Sequence, residues 1–369
     1  MTKFFKSIEK IPKSVLFALT LLTVIILGLA DYATGEDFSF YIFYVIPVFF
    51  IVWFGGKWQG LIISMLCLIS WYIDSFIGRP EISNYLAFYW NMILQFVFFL
   101  ILIFTLSSLK KSIEKQELIE KEKIRREFEI AAQVQDKLFP QEKPGIENLD
   151  YFGICKPAEA VGGDYFDYFK IREDEIVFAI GDIAGHGLSS ALLMAGLVGF
   201  VRSNATIYRD KLKEFMNKIN LLMCDSTDGS KFATFFYSIY NETDKSLKFI
   251  NAGHNPPLLY RMKTNTFSEL KTNGFIIGAV PDIIYNEVSE SLQEKDILVF
   301  YTDGITEAFN LQDELYGTER MKEVINNNIN LNAKEICNEI LNSVNKYSIG
   351  KEQADDMTLL VIKIKKQES

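Results

Sequence analysis

Residues 177–187 read VFAIGDIAGHG, and this stretch decides the fold prediction because an apolar run is followed at once by glycine and Asp182. Three other stretches place a carboxylate at one end of an apolar run: VGGDYFDYF (161–169), LVFYTDGITEA (298–308) and ADDMTLLVIKI (354–364). A buried carboxylate carries a severe desolvation penalty unless it is paired or binds a cation. Oxygen ligands suit Mg²⁺ and Mn²⁺, so the pattern predicts a shared divalent-metal site, typical of metal-assisted hydrolysis or phosphoryl transfer. The candidate ligands are Asp164, Asp182, Asp303, Asp355 and Asp356.

From residue 150 onward, short runs of β-branched and aromatic residues alternate with helical patterns. Strands are predicted at 150–157, 164–171, 176–182, 232–240, 247–251, 257–261, 296–301 and 357–365. Helices are predicted at 188–203, 210–225, 317–327 and 333–346. Strands in blocks, with helices grouped in pairs between them, favour a layered α+β sandwich over repeated βαβ units.

The N-terminal part of the chain is apolar, with long runs at about 14–30, 39–54, 60–76 and 87–107. Each run approaches the roughly 20 residues that an α-helix needs to cross hydrocarbon. A cleaved signal peptide would account for the first run alone, and no small-residue cleavage site follows it. The alternative is a set of buried helices in a soluble core, but successive runs nearly free of charge are hard to bury in that way. The sequence therefore predicts a four-helix transmembrane input region over residues 1–107.

Basic residues set the predicted orientation of these helices. Lysines precede the first run, separate the second from the third, and follow the fourth: Lys3, Lys6, Lys10, Lys13, Lys57, Lys110, Lys111 and Lys115. The other two connections are acidic or mixed, and contain Glu36 and Arg79 respectively. The positive-inside rule then predicts a multi-pass protein of the cell inner or plasma membrane, with its N-terminus and C-terminal domain in the cytoplasm.

Residues 108–139 are dense in Glu, Lys and Arg and contain no Gly or Pro before Pro140. Apolar residues recur at helical spacing, as in Ile124 and Phe128, although the spacing breaks a strict heptad. We interpret this segment as a coiled-coil-like helical linker that pairs in a homodimer. The alternative is a single solvated helix held by Glu–Lys pairs. Residues 140–369 form the predicted catalytic domain.

Net charge is −9, and residues 141–369 contribute most of it with 24 basic and 34 acidic side chains. An acidic domain argues against a nucleic-acid partner, which would require a basic face. The cysteines, of which there are 4, show neither metal-ligand spacing nor a paired framework.

Six ordered motifs resemble the metal-dependent protein phosphatase (PPM) superfamily, in the bacterial branch typified by the stage II sporulation and sigma-B-regulating serine phosphatases. The motifs are AAQVQDKLFP (131–140), AVGGDYFD (160–167), GDIAGHGLSSALLMA (181–195), NAGHNPPLL (251–259), YTDGITEA (301–308) and DDMTLLVIK (355–363). The resemblance implies an α-β-β-α sandwich of two stacked antiparallel sheets flanked by helices. It also implies two divalent cations, Mn²⁺ or Mg²⁺, and a phosphorylated protein substrate of the anti-sigma-factor antagonist type.

Site roles carry over from the resemblance residue by residue. Asp182 would bridge the two cations, and the main-chain carbonyl of Ile183 would complete the first. Asp303 and Asp355 would hold the second cation, while Asp164 would ligate directly or through water. Two such cations would lower the pKa of a bound water, which would then attack the phosphoryl group, so the reaction needs no serine or cysteine nucleophile.

Four further residues receive weaker predictions. Asp356 is a candidate metal ligand, although it fits better as a partner that positions the ligands. His186 is a candidate catalytic acid for the leaving serine oxygen. Asp167 is expected to be structural, and His254 is expected to order its loop through hydrogen bonds.

Three other interpretations remain at the level of sequence. GGDYF at 162–166 superficially matches diguanylate cyclases, but Tyr165 stands where that motif needs an acidic residue. The domain could instead be a catalytically silent phosphatase-like binding module, against which the intact carboxylates speak. The membrane region could be a transporter or enzyme in its own right, although it has few intramembrane ionisable residues to support this.

Reporter fusions test the predicted topology. Fusions at Lys57 and Lys111 are expected to be cytoplasmic because each follows an even number of crossings, and fusions at Glu36 and Arg79 are expected to be external. The measurement is the activity of a reporter that functions on one side of the membrane only. An external reporter at Lys111 would contradict the model, because it would separate the C-terminal domain from any cytoplasmic phosphoprotein.

Overall fold

The computed structural model describes residues 8, 10–34, 41–77, 85–227, 229 and 231–366. The chain forms two compact units, Met1–Ile124 and Arg125–Ser369. Glu36 and Arg79, on which the predicted external connections depend, lie outside the described residues. The boundary between the two units falls at 124/125, inside the predicted linker of residues 108–139. The predicted domain boundaries at 107/108 and 139/140 stay predictions.

The described elements of the first unit are all helices or 3₁₀ turns. Its elements are α1 (Lys13–Thr34), a 3₁₀ turn (Tyr41–Tyr44), α2 (Val45–Phe54), α3 (Lys57–Ile77) and the beginning of α4 (Tyr85–Leu138). Val48, Ile51, Ile63 and Phe99 are buried where these helices pack together. Many other large apolar side chains of the unit are exposed, including Leu29 at 64%. An apolar interior with an apolar exterior is expected of helices that lie in lipid.

Three described helices are long and apolar enough to cross a membrane: Lys13–Thr34, Leu86–Leu138 and Leu188–Tyr208. The second apolar run forms the short helix α2, because Gly55 and Gly56 end it and turn the chain into α3; Gly56 has a φ of +106°. The apolar segments Ile42–Phe54 and Lys57–Ile73 are shorter than these three helices. Leu188–Tyr208 belongs to the second unit, where one face packs into the core through Met194 and Val201.

The second unit contains two five-stranded antiparallel sheets. The strands are β1 (Leu149–Lys156), β2 (Tyr165–Arg172), β3 (Glu175–Ile183), β4 (Ala233–Asn241), β5 (Ser246–Ala252), β6 (Leu258–Arg261), β7 (Thr266–Glu269), β8 (Val288–Ser291), β9 (Ile297–Tyr301) and β10 (Met357–Ile364). One sheet has the order β1-β10-β9-β6-β7 and the other has the order β2-β3-β4-β5-β8.

Helices cover the outer face of each sheet. They are α5 (Leu188–Tyr208), α6 (Leu212–Ser226), the short α7 (Asp303–Thr306), α8 (Gly317–Asn327) and α9 (Ala333–Tyr347). α9 begins with a capping box, in which Asn332 and Glu335 satisfy each other's backbone N–H groups.

Three apolar layers hold the sandwich together, as alternation along β3 illustrates. Phe178 and Ile180 point into the layer between the sheets, where they join aromatic side chains such as Phe236. Val177 and Ala179 point to the opposite face, which packs against α5 and α6. A third layer lies between the other sheet and helices α8 and α9. This arrangement confirms the predicted α-β-β-α sandwich.

Every predicted strand and helix of the second unit is present, and α4 ends at Leu138 just before Pro140, as expected. The sequence did not predict β7 (TFSE) and β8 (VSES). Both are short, mostly exposed edge strands, so they lack the apolar alternation by which a strand is recognised.

Asp167 has the structural role predicted for it. Its carboxylate is fully buried and accepts two hydrogen bonds from Arg202, with Nε at 2.7 Å and Nη2 at 2.9 Å. The Tyr165 hydroxyl and the Tyr168 backbone N–H donate to the same carboxylate. A buried acid with this many donors anchors α5 to β2 and is unavailable as a metal ligand.

Candidate functional site

The predicted carboxylates come from both sheets and lie at strand ends. Asp164 directly precedes β2, and Asp182 is the penultimate residue of β3 in the same sheet. Asp303 opens α7 after β9, while Asp355 and Asp356 directly precede β10 in the other sheet. The sandwich therefore brings together residues that are far apart in the sequence.

These carboxylates raise one another's pKa values. Burial and the negative charges of Asp303, Asp355 and Asp356 raise the pKa of Asp182 to about 7. Burial followed by the charge of Asp182 raises the pKa of Asp164 well above its ordinary value. Like charges that disfavour one another's ionisation are the surroundings that a cation would relieve.

The pKa values of the other two predicted ligands are also raised. For Asp303 the causes are burial and then the charge of Glu307. For Asp355 the first cause is burial, with further contributions from Asp303 and Asp356, while His186 acts in the opposite direction. The described acids therefore form one repelling group.

Asp356 organises the loop that carries Asp164. Its Oδ2 accepts hydrogen bonds from the N–H groups of Gly163 at 2.8 Å and Asp164 at 3.3 Å. Its Oδ1 accepts from Ala158 N–H at 2.8 Å. With both oxygens used in this way, the geometry favours a positioning role, and metal ligation by Asp356 stays a prediction.

Glycine makes the close approach of these segments possible. A Cβ on Gly163 would lie 2.7 Å from the carbonyl oxygen of Ile183 and 3.6 Å from Oδ1 of Asp182. A Cβ on Gly304, next to Asp303, would overlap the backbone of Asp356. Side chains at these positions would push apart the segments that carry the carboxylates.

The donor set fits hard divalent cations, because it consists of carboxylates and a main-chain carbonyl. Among the described side chains, however, no three His, Cys, Asp or Glu residues already converge as a finished ligand cage. The backbone fixes where each carboxylate side chain starts, and rotation about χ1 and χ2 sets where its oxygens lie. The assignment of individual ligands remains a prediction.

The two histidines differ in accessibility. His186 is 86% exposed, and its Nδ1 lies 3.2 Å from Oε1 of Glu159. His254 is buried, and desolvation lowers its pKa to about 3. Its backbone exchanges hydrogen bonds with the Asn251 side chain, and its Nδ1 lies 2.8 Å from Oγ1 of Thr234. His254 therefore orders its loop as predicted, whereas a catalytic role for His186 stays a prediction.

Thr302 is a site residue that sequence reasoning missed. Its hydroxyl donates to Oδ2 of Asp164 at 2.7 Å and accepts from the N–H of Thr358 at 3.0 Å. Thr302 thus links both sheets beneath the carboxylates. Its position directly before Asp303 in the YTDG motif was the available signal, but a threonine there does not reveal its partner.

Thr302→Val should reduce the free energy of unfolding by about 2 kcal/mol, because it leaves a buried carboxylate oxygen and a buried N–H without a partner. The measurement is denaturant unfolding of the purified chain. Thr302→Ser keeps the hydroxyl and is the matched control, with an expected loss below about 1 kcal/mol. Equal losses in the two variants would show that packing of the methyl group, rather than the hydrogen bonds, matters at this position.

Comparison with known proteins agrees with this architecture. The family model described as Stage II sporulation protein E (SpoIIE) matches residues 172–365. The chain is 30% identical over 244 residues to phosphoserine phosphatase RsbU of Bacillus subtilis, covering 66% of this chain and 72% of that protein. It is 25% identical to Protein IcfG of Synechocystis, covering 64% of this chain but only 41% of that longer protein.

Solved structures support the fold. The SiaA-PP2C domain of Pseudomonas aeruginosa superposes with a TM-score of 0.59 at 18% identity, covering 66% of this chain and 98% of that domain. The RsbU and RsbW domains of Rv1364c from Mycobacterium tuberculosis superpose with a TM-score of 0.51 at 24% identity, covering 59% and 60% of the two chains. With the family model matching more than half of its residues, the chain belongs to the Stage II sporulation protein E (SpoIIE) family of PPM-type phosphatases.

Proposed function

We propose that this protein is a membrane-anchored, signal-regulated protein-serine/threonine phosphatase that acts on a cytoplasmic regulatory protein. The enzyme class, a metal-dependent serine/threonine phosphatase, follows from membership of the family. The observation that carries the proposal is the placement of Asp182, Asp303 and Asp355 at strand ends of the two stacked sheets. Their mutual repulsion, which raises the pKa values of Asp182 and Asp355, is consistent with this placement. A relative named as a phosphoserine phosphatase supports phosphoserine as the substrate residue.

The proposed cofactors are two divalent cations, Mn²⁺ or Mg²⁺. Asp182 and the Ile183 carbonyl would hold one, and Asp182, Asp303 and Asp355 would hold the other, with Asp164 as an additional ligand. When bound, such cations activate water for in-line attack and neutralise phosphoryl oxygens. The chain itself positions Asp164, because this residue is buried and its loop is held by backbone hydrogen bonds to Asp356.

A groove beside the site supports a polypeptide substrate. It has a volume of about 620 Å³, and Gly304 and Asp355 are among the residues that line it. Phe309, which is 40% exposed, and Lys351 also line it, so both apolar and charged contacts are available. By family resemblance, we propose that the substrate is a phosphorylated anti-sigma-factor antagonist.

Membrane anchoring is supported by the first unit. α1 has a mean hydropathy of 2.2 and α4 has a most apolar window of 2.4, values suited to spanning segments. Exposed residues of α1 such as Leu22 and Ile26 would contact lipid rather than water. We propose four crossings, with the phosphatase in the cytoplasm where its protein substrate would be.

Removal of the shared carboxylate tests the catalytic assignment. Asp182→Asn in the detergent-solubilised full chain should lower turnover of a phosphoserine protein by about 10³-fold, because it removes the negative charge shared between two cations. Chelator should abolish wild-type turnover, and added Mn²⁺ or Mg²⁺ should restore it. Asp210→Asn, at an exposed acid outside the site, is the control. Full activity of the Asp182 variant, or activity indifferent to chelator, would contradict the assignment.

We further propose that the linker part of α4 pairs with a second copy. Support comes from large apolar side chains that this helix leaves exposed, including Leu118, Ile119, Ile124 and Ile130. A long charged helix with exposed apolar residues is typical of helices that associate. Pairing would also give the membrane unit a way to alter the enzyme.

Charges placed on the apolar face of the linker test this pairing. Ile124→Glu with Phe128→Glu should shift the full chain from dimer to monomer, since burying two carboxylates in a helical seam is strongly disfavoured. The double variant should also change turnover without altering any proposed ligand. Light scattering in detergent and phosphatase assays are the two measurements. Glu122→Ala should change neither, because exposed ion pairs contribute only about 0–1 kcal/mol. A double variant unchanged in both would mean that the linker is a tether.

A further inference from the structure

The last turns of α4 contain a buried amide that the proposed chemistry does not use. Gln135 is 6% exposed, although its helix otherwise presents polar side chains to solvent at this point. Its Nε2 donates to the carbonyl oxygen of Gly162 at 2.7 Å, and its Oε1 accepts from the Gly162 N–H at 3.0 Å. A single side chain therefore satisfies both backbone polar groups of Gly162.

This paired contact fixes the orientation of the amide. Rotating the Gln135 amide by 180° would place NH₂ against an N–H and oxygen against a carbonyl, so only the observed orientation is compatible with both hydrogen bonds. The same Nε2 lies 3.9 Å from Sδ of Met194, which belongs to the core beneath the site. The Gln135 side chain therefore contacts other parts of the domain, namely Gly162 and Met194, and not its own helix.

The loop that Gln135 contacts has no regular hydrogen bonding of its own. Residues 157–164 connect β1 to β2 without helix or strand, so their backbone groups depend on side chains for partners. Asp356 satisfies the N–H groups of Gly163 and Asp164, directly next to the peptide held by Gln135. A Cβ on Gly162 would overlap the Asp356 carboxylate, so Gly162 fits between Gln135 and Asp356 because it lacks a side chain.

We infer that Gln135 is a positioning residue for the proposed metal site, and that it fixes the Gly162–Gly163–Asp164 segment together with Asp356. The inference rests on the proposed metal-dependent function for its catalytic consequence, but not for its structural one. Asp164 lies two residues beyond the clamped peptide, so freedom at Gly162 becomes freedom of the Asp164 carboxylate relative to Asp182. The last turns of α4 thus help to hold the backbone that carries Asp164.

Two readouts on the detergent-solubilised full chain separate these consequences. The first is hydrogen–deuterium exchange of the peptide that covers residues 158–166, which needs neither metal nor substrate. The second is the Mn²⁺ concentration that gives half-maximal turnover of a phosphoserine protein. Gln135→Leu preserves bulk and removes both hydrogen bonds, whereas Gln133→Leu makes the same change at an exposed position on the same helix.

Gln135→Leu should accelerate exchange in this peptide about tenfold and raise the half-maximal Mn²⁺ concentration by about tenfold, because two buried backbone groups lose their partners. Gln133→Leu should leave both values at those of the wild type. Gln135→Asn, whose amide is one methylene too short to reach both groups of Gly162, should give the same direction of change and serves if the leucine variant does not fold.

The outcomes distinguish this inference from the proposed function. Folded Gln135 variants with wild-type exchange at 158–166 would overturn the positioning role, whatever the activity. Faster exchange with an unchanged Mn²⁺ requirement would overturn the link from Gln135 to the metal site. A wild-type chain without metal-dependent turnover would refute the proposed function, while the exchange data would still decide whether Gln135 holds the loop.

Discussion

The rest of the site depends on the hydrogen bonds that backbone N–H groups donate to the Asp356 carboxylate. Asp356 precedes β10 of one sheet. Its oxygens accept hydrogen bonds from the N–H groups of Ala158, Gly163 and Asp164, which lie in the loop that leads to the other sheet. Hydrogen bonds from backbone N–H groups to a carboxylate are stronger than neutral ones. They hold Asp164 within range of Asp182 although the two acids repel each other.

Mutual repulsion among these carboxylates at the strand ends disfavours folding, and the apolar layers of the sandwich offset this cost. Apolar side chains fill the space between the sheets and between each sheet and its helices. The Asp167–Arg202 pair shows the contrast, because that buried acid is neutralised by its own arginine. Proteins commonly keep unfavourable charge repulsion at sites that bind ligands and pair their buried charges elsewhere.

α4 has 54 residues, and each unit contains a part of it. In the first unit, Nζ of Lys110 donates to the carbonyl oxygen of Trp53 at 2.6 Å, at the C-terminal end of α2. In the second unit, Gln135 contacts the loop that carries Asp164. A lysine at a helix C-terminus is a favourable cap, so Lys110 stabilises the end of α2 within the first unit.

The sequence by itself determined the order of the longer strands and helices, the apolar runs and the family motifs, because periodicity and local composition are properties of neighbouring residues. It did not determine the short, exposed edge strands β7 and β8. It also singled out the carboxylates, since charge at the end of an apolar run is visible in one dimension. Only the tertiary structure decided that Asp356 accepts backbone hydrogen bonds, that Thr302 donates to Asp164 and that Gln135 clamps Gly162. These partners are separated by 27 to 198 positions, and no local pattern encodes which distant group a polar side chain will meet when the sheets stack.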